Sequence, residues 1–182
     1  MPVSAQTYRQ LAVEDPDGQW ELHCGSLRQK PLMTVEHNHV MTRLLVWLAQ
    51  RLNDDEYTVR SDSGRVRASG ESYFIPDVLV IPMRLVRPLR RRRDALEAYA
   101  EPLPLVVEVW SPSTGDYDVE AKLTEYQRRG DLEIWRGHPY DHTLTSWRRQ
   151  PDGSYLEGSY THGAVEPVAL PGVAIDLDAL FA

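Results

Sequence analysis

Cysteine is nearly absent: Cys24 stands alone among 182 residues. Without a partner thiol there is no internal disulfide framework and no cysteine-based zinc site, and Cys24 is expected to pack as a small hydrophobe. Long apolar runs are missing too, since nothing approaches the roughly 18 to 20 residues needed to span a bilayer, so no membrane contact is expected. The N-terminal MPVSAQTYRQLAVED has neither the basic start nor the apolar stretch of a secretory signal, which points to the cytoplasm. There is no G-x-S-x-G nucleophile elbow, no phosphate-cradling glycine loop and no dinucleotide fingerprint. Of the six histidines, His37 and His39 diverge at i, i+2 on a helix, while His138 and His142 straddle a turn, so a dedicated zinc site is not expected. Lysine is scarce: Lys30 and Lys122 are the only two, against 18 arginines.

What is present is globular. A 42% hydrophobic and 26% charged chain of this length suits one domain, residues 1–182, with a core that needs no staples. The net charge of −7 argues against coating nucleic acid through bulk electrostatics, but it hides a local patch. RLVRPLRRRR, residues 84–93, carries six arginines and no acid, leaving the rest of the chain at −13. Arg90, Arg91, Arg92 and Arg93 are candidate phosphate contacts, with a solvated loop and helix start as the alternative.

Periodicity supplies the elements. Residues 4–14 carry Tyr8, Leu11 and Ala12 at helical spacing before the breakers of EDPDG, and WELHCGSLRQK reads as a hairpin turning near Cys24 and Gly25. From Thr34, a natural N-cap, apolar residues at 40, 41, 44, 45, 48 and 52 trace the stripe of an amphipathic helix. EYTVRSD, GRVRAS and YFIPDVLVIP are strand-like, the last interrupted by Pro76. LPLVVEVW is apolar on both faces, as expected of a central strand. YDVEAKLTEYQRRGD is a second helix stopped by Gly130, and short strands follow, with QPDG as a hairpin turn. Most of the five tryptophans, all in predicted elements, are expected in the core. The order of elements predicts a mixed α/β fold with a mixed sheet.

Glu108 interrupts its apolar strand, and an unpaired carboxylate there costs several kcal/mol or takes up a proton. Asp77 follows Pro76 in one strand, Glu108 lies in the next long one, and Lys122 sits on the helix after it. Two carboxylates on neighbouring strands can share a divalent cation such as Mg²⁺, completed by a backbone carbonyl, that of Val109, and by water and substrate phosphate. A lysine alongside can orient or help deprotonate an attacking water. The residues alone leave other readings open: a turn aspartate at 77, an ion pair of Glu108 with an arginine, and an i, i+4 surface pair of Asp118 with Lys122.

IPDVLVIP, PLVVEVWSPST and YDVEAKLTEYQRRG together resemble the Uma-two family of restriction endonuclease-like proteins, a branch of the PD-(D/E)XK nuclease superfamily. WELHCGSL is similar to the family's N-terminal hairpin, His37 with Val40, Leu44 and Leu48 to its first helix, and LPGVAIDLDALF to its C-terminal end, so the resemblance covers roughly residues 5 to 181. It implies a restriction endonuclease-like core, a mixed sheet of about four strands flanked by helices, with additional N-terminal and C-terminal strands. It further implies a Mg²⁺- or Mn²⁺-dependent hydrolase cutting DNA phosphodiesters, with Asp77 and Glu108 as metal ligands. Lys122 would be the catalytic lysine, displaced onto the helix because Trp110 occupies the usual position two residues after Glu108. Glu21, Glu36 and His37 are accessory candidates. The chain departs from the family at EIWRGHPY, where Gly137 and His138 replace an expected apolar residue and aspartate. The rival expectations are a catalytically silent nuclease fold that binds nucleic acid or a partner, and an accessory protein acting with other chains. A homodimer is expected of an enzyme that must cut two strands.

Overall fold

The computed structural model describes residues 2–115 and 117–182, with side chains throughout except at 70 and 118–120. The N-terminal helix α1 (Ala5–Glu14) is capped by Ser4 Oγ, which accepts from Thr7 N, and a 3-10 turn over Pro16–Gly18 ends the segment. A hairpin of β1 (Trp20–His23) and β2 (Ser26–Gln29) follows. Its two turn residues, Cys24 and Gly25, have φ of 49° and 80°, the positive values that match the twist of a two-residue hairpin. This corrects the expectation for Cys24: a side chain at the tip of such a turn points away from both strands, and the thiol is exposed.

Helix α2 (Val35–Arg51) begins where the sequence places it, with Thr34 accepting from His37 N. The chain continues through β3 (Tyr57–Ser61), β4 (Arg65–Arg67), β5 (Tyr73–Phe74), β6 (Val78–Pro82), a short α3 (Met83–Val86), β7 (Ala98–Tyr99) and β8 (Leu105–Val109). The second predicted helix is a π-helical turn over Asp118–Leu123 running into α4 (Thr124–Arg129), and Gly130 ends it in the left-handed region at φ 79°. Beyond lie β9 (Glu133–His138), β10 (Thr143–Arg149), β11 (Tyr155–Tyr160), β12 (Ala164–Val165), β13 (Ile175–Asp176) and α5 (Leu177–Leu180).

Strands pair into a six-stranded sheet, β11-β10-β9-β8-β6-β3, a five-stranded sheet, β2-β1-β5-β4-β7, and the small β12-β13 ribbon. The fold is mixed α/β as expected: β8 runs parallel to β9 and antiparallel to β6. YFIPDVLVIP is not one strand. Tyr73 and Phe74 belong to the smaller sheet and Val78 onward to the larger, so Ile75-Pro76-Asp77 is the crossing between them. Proline suits this place because it cannot donate to a ladder.

The period of two decides what each face of the large sheet meets. Val78, Val80, Leu105 and Val107 pack with Val40, Leu44 and Leu48 of α2 and with Ile175, Leu177 and Leu180 near the C-terminus. Leu79, Ile81, Val106 and Ile134 pack with Tyr126 of α4. Glu108 has the parity of Val106 and therefore faces α4. Of the tryptophans, Trp135 and Trp147 are buried, while Trp20, Trp47 and Trp110 are half-buried. No described helix is long and apolar enough to cross a membrane.

Candidate active site

Helix α2, the entry to β6, strand β8 and the π-helical turn before α4, together with the β1-β2 hairpin of the small sheet, bring buried polar groups together. Asp77, at the crossing into β6, is 1% exposed, and each of its oxygens is engaged. Oδ1 accepts from Lys30 Nζ at 2.6 Å; Oδ2 accepts from the Val109 N–H at 2.6 Å and lies 3.1 Å from His37 Nε2. A carboxylate offers about four lone-pair positions, so three donors nearly fill it. Burial pushes the Asp77 carboxyl up, but the Lys30 ammonium, His37 and Lys122 outweigh it and hold the group well below the usual range.

The second half of the cluster lies under α4. Glu108 Oε1 accepts from the Tyr126 hydroxyl at 2.6 Å and lies 3.3 Å from Lys122 Nζ. The same ammonium is 3.1 Å from Glu21 Oε1 of β1, which also accepts from the Ile75 N–H at 2.8 Å. Lys122 is 2% exposed, so it is no surface residue; the suggested Asp118 partner lies outside the described side chains.

Lys30 lies on the Asp77 side, and Ile75 links the halves by offering its carbonyl to Lys30 and its N–H to Glu21. The Lys30 ammonium donates to Asp62 Oδ1, to Asp77 Oδ1 and, at 3.0 Å, to the Ile75 carbonyl. Burial lowers its basicity, yet Asp77 and Asp62, helped by Glu108 and opposed by Lys122, raise it above the ordinary lysine value. Both lysines of the chain thus lie in one cluster. Sequence reasoning picked out Lys122 and passed over Lys30, although the scarcity of lysine pointed equally to each.

Of the sequence candidates, Asp77, Glu108, Lys122, Glu21 and His37 converge. Val109 meets Asp77 through its N–H. Glu36 does not join them: it is exposed on α2 and accepts from the Tyr140 hydroxyl at 3.2 Å. Arg90 to Arg93 form an exposed turn beyond α3, with Arg92 3.8 Å from Asp94, and no contact among the described residues ties them to the cluster. The departure at Gly137 and His138 leaves β9 unbroken, and the His138 ring stacks on Trp110 at 4.4 Å.

Asp77 and Glu108 offer the hard oxygen donors that Mg²⁺ or Mn²⁺ takes. Among the described residues no three His, Cys, Asp or Glu form a ready cage, so a metal here would have to lean on water and substrate, as Mg²⁺ commonly does. In donor chemistry the residues fit.

The sequence profile of the Uma2 family, described as "Putative restriction endonuclease", matches residues 5–178. Among solved structures the fold matches a protein from Anabaena variabilis described as a "putative nuclease belonging to DUF820", with a TM-score of 0.80 at 15% identity over 99% of this chain and 98% of that one. No curated protein matches the sequence. With a fold shared end to end and a profile that spans the site from Glu21 to Lys122, the chain belongs to the Uma2 family.

Proposed function

We propose that the protein is a metal-dependent endonuclease hydrolysing phosphodiester bonds of DNA. The observation that carries this reading is the convergence of Asp77, Glu108 and Lys122 in one buried cluster. A divalent cation supplies Lewis acidity and an activated water when bound. Asp77 and Glu108 would hold it, with the β8 backbone N–H of Val109 fixing the Asp77 carboxylate. Lys122, already against Glu108, orients the attacking water and offsets charge on the phosphate. Tyr126 and Glu21 position Glu108 and Lys122 respectively. Arg90 to Arg93 contact phosphates of a long duplex, and two copies of the chain act together where both strands are cut.

The test is cleavage of supercoiled and linear DNA by purified protein with Mg²⁺ or Mn²⁺, beside Glu108→Gln and Lys122→Met. Metal-dependent cuts that disappear in both variants while their melting remains cooperative support the proposal. Equal cutting by wild type and both variants refutes it.

One observation favours a second reading, a silent nuclease fold that binds nucleic acid. Asp77 is already satisfied by Lys30, His37 and the Val109 N–H, so the cluster closes on itself without a metal. That reading expects salt-sensitive binding, weakened when Arg90 to Arg93 are replaced, and no product with any metal.

A further inference from the structure

We propose that the Lys30 ammonium takes the place of a second cation, a fixed positive charge that limits the site to one exchangeable divalent ion. This rests on the reading that Asp77 and Glu108 take up such an ion. The geometry around Nζ is that of a small cation site. An ammonium has three protons, and three oxygens receive them: Asp62 Oδ1, Asp77 Oδ1 and the Ile75 carbonyl. Two carboxylates and a main-chain carbonyl are the donors that hard divalent ions select. The stem is buried, with the residue 7% exposed, so the charge is delivered into the interior on a tether.

The choice of residue follows the same logic. Eighteen of the chain's twenty basic residues are arginine, yet here the chain uses lysine. A guanidinium is flat and presents a fork, whereas an ammonium is compact and offers its donors to oxygens arranged around a point. Two-metal sites place a second positive charge beside the first ion. Here that charge would be covalently attached, spending its three protons on protein oxygens and offsetting the Asp77 carboxylate beside an exchangeable ion rather than touching a reacting oxygen. Removing the ammonium vacates a cage of three oxygens, two of them anionic.

The experiment counts ions. Mn²⁺ is titrated into the full chain and the free ion is followed by electron paramagnetic resonance, for wild type and Lys30→Ala. The expected result is one bound Mn²⁺ per wild-type chain and two per Lys30→Ala chain. One in each, or two in each, overturns the proposal while leaving the Asp77 and Glu108 metal reading intact. None in wild type and one in Lys30→Ala keeps the stand-in for Lys30 and overturns that metal reading. None in either overturns both. Should Lys30→Ala lose its fold in chelator, circular dichroism replaces the count: recovery of the native spectrum on adding Mn²⁺ supports the proposal, and no recovery at saturating Mn²⁺ overturns it.

Discussion

Asp77→Asn preserves shape and removes one charge, which makes it a sharp probe of the cluster. The amide has one acceptor and one donor end. Whichever way it turns, its NH₂ faces a donor: the Lys30 ammonium on one side, or the Val109 N–H and His37 on the other. Breaking a buried pair costs about 3–5 kcal/mol. Here the loss falls toward the lower figure, because Lys30 keeps Asp62, whose side chain is 25% exposed, and the Ile75 carbonyl. At roughly 2–4 °C per kcal/mol for a chain of this size, a cost near 3 kcal/mol lowers the melting temperature by about 6–12 °C. Lys30→Met falls toward the higher figure, since it strips the counter-charge from Asp77, whose side chain is 2% exposed. The double variant should lose clearly less than the two losses added, with a coupling of at least about 1 kcal/mol. Thermal melts in chelator measure all three. An Asp77→Asn protein melting within about 2 °C of wild type, or strict additivity, refutes the ion pair as the organising contact. The same arithmetic shows why Asp77 is a poor choice for a purely catalytic knockout.

Other outcomes follow from contacts away from Asp77. Tyr126→Phe removes the 2.6 Å hydrogen bond to Glu108, costs about 1.5–3 kcal/mol in denaturant melts, and should slow metal-dependent cleavage. Arg129→Lys should lose about 3 kcal/mol in the same melts: the guanidinium, 3% exposed, bonds Asp131 and the carbonyls of Arg67, Tyr99 and Glu101, a fork that an ammonium cannot reproduce. Burial pushes the Tyr8 and Tyr155 hydroxyls from 10.0 up to about 12. Their stabilising contribution is therefore complete below pH 10 and is lost as pH rises through about 12, so tyrosinate absorbance should climb together with unfolding in that window.

Much of the fold was legible because its longest elements carry strong periodic signals. The stripe of α2 and the doubly apolar β8 left little choice, and parity alone turns Glu108 toward the α4 face. The two-residue strand β7 and the short α3 and α5 carry too little pattern to be read. Asp77, Glu108 and Lys122 were found through residue type and family resemblance, and the structure brings them together. Glu36 lies outside the cluster, exposed on α2 while its neighbour His37 turns inward to Asp77. Lys30 was passed over because it follows a polar hairpin strand that reads as solvated. Its burial arises only when partners 32 and 47 residues away fold over it, a relation that local periodicity does not encode.

The crossing at Ile75-Pro76-Asp77 has a temporal consequence. Glu21 and Lys30 arrive early in the chain, Asp77 in its middle and Lys122 well past it, so the closing contact between Glu21 and Lys122 spans 101 positions. Contacts this distant form late, after the entropy of closing the intervening chain has been overcome. During synthesis from the N-terminus, a nascent fragment ending before Lys122 carries the acidic half of the cluster without its second cation. The cluster is therefore complete only once the chain has emerged past α4, and a product terminated before Lys122 lacks the ammonium that meets both Glu21 and Glu108.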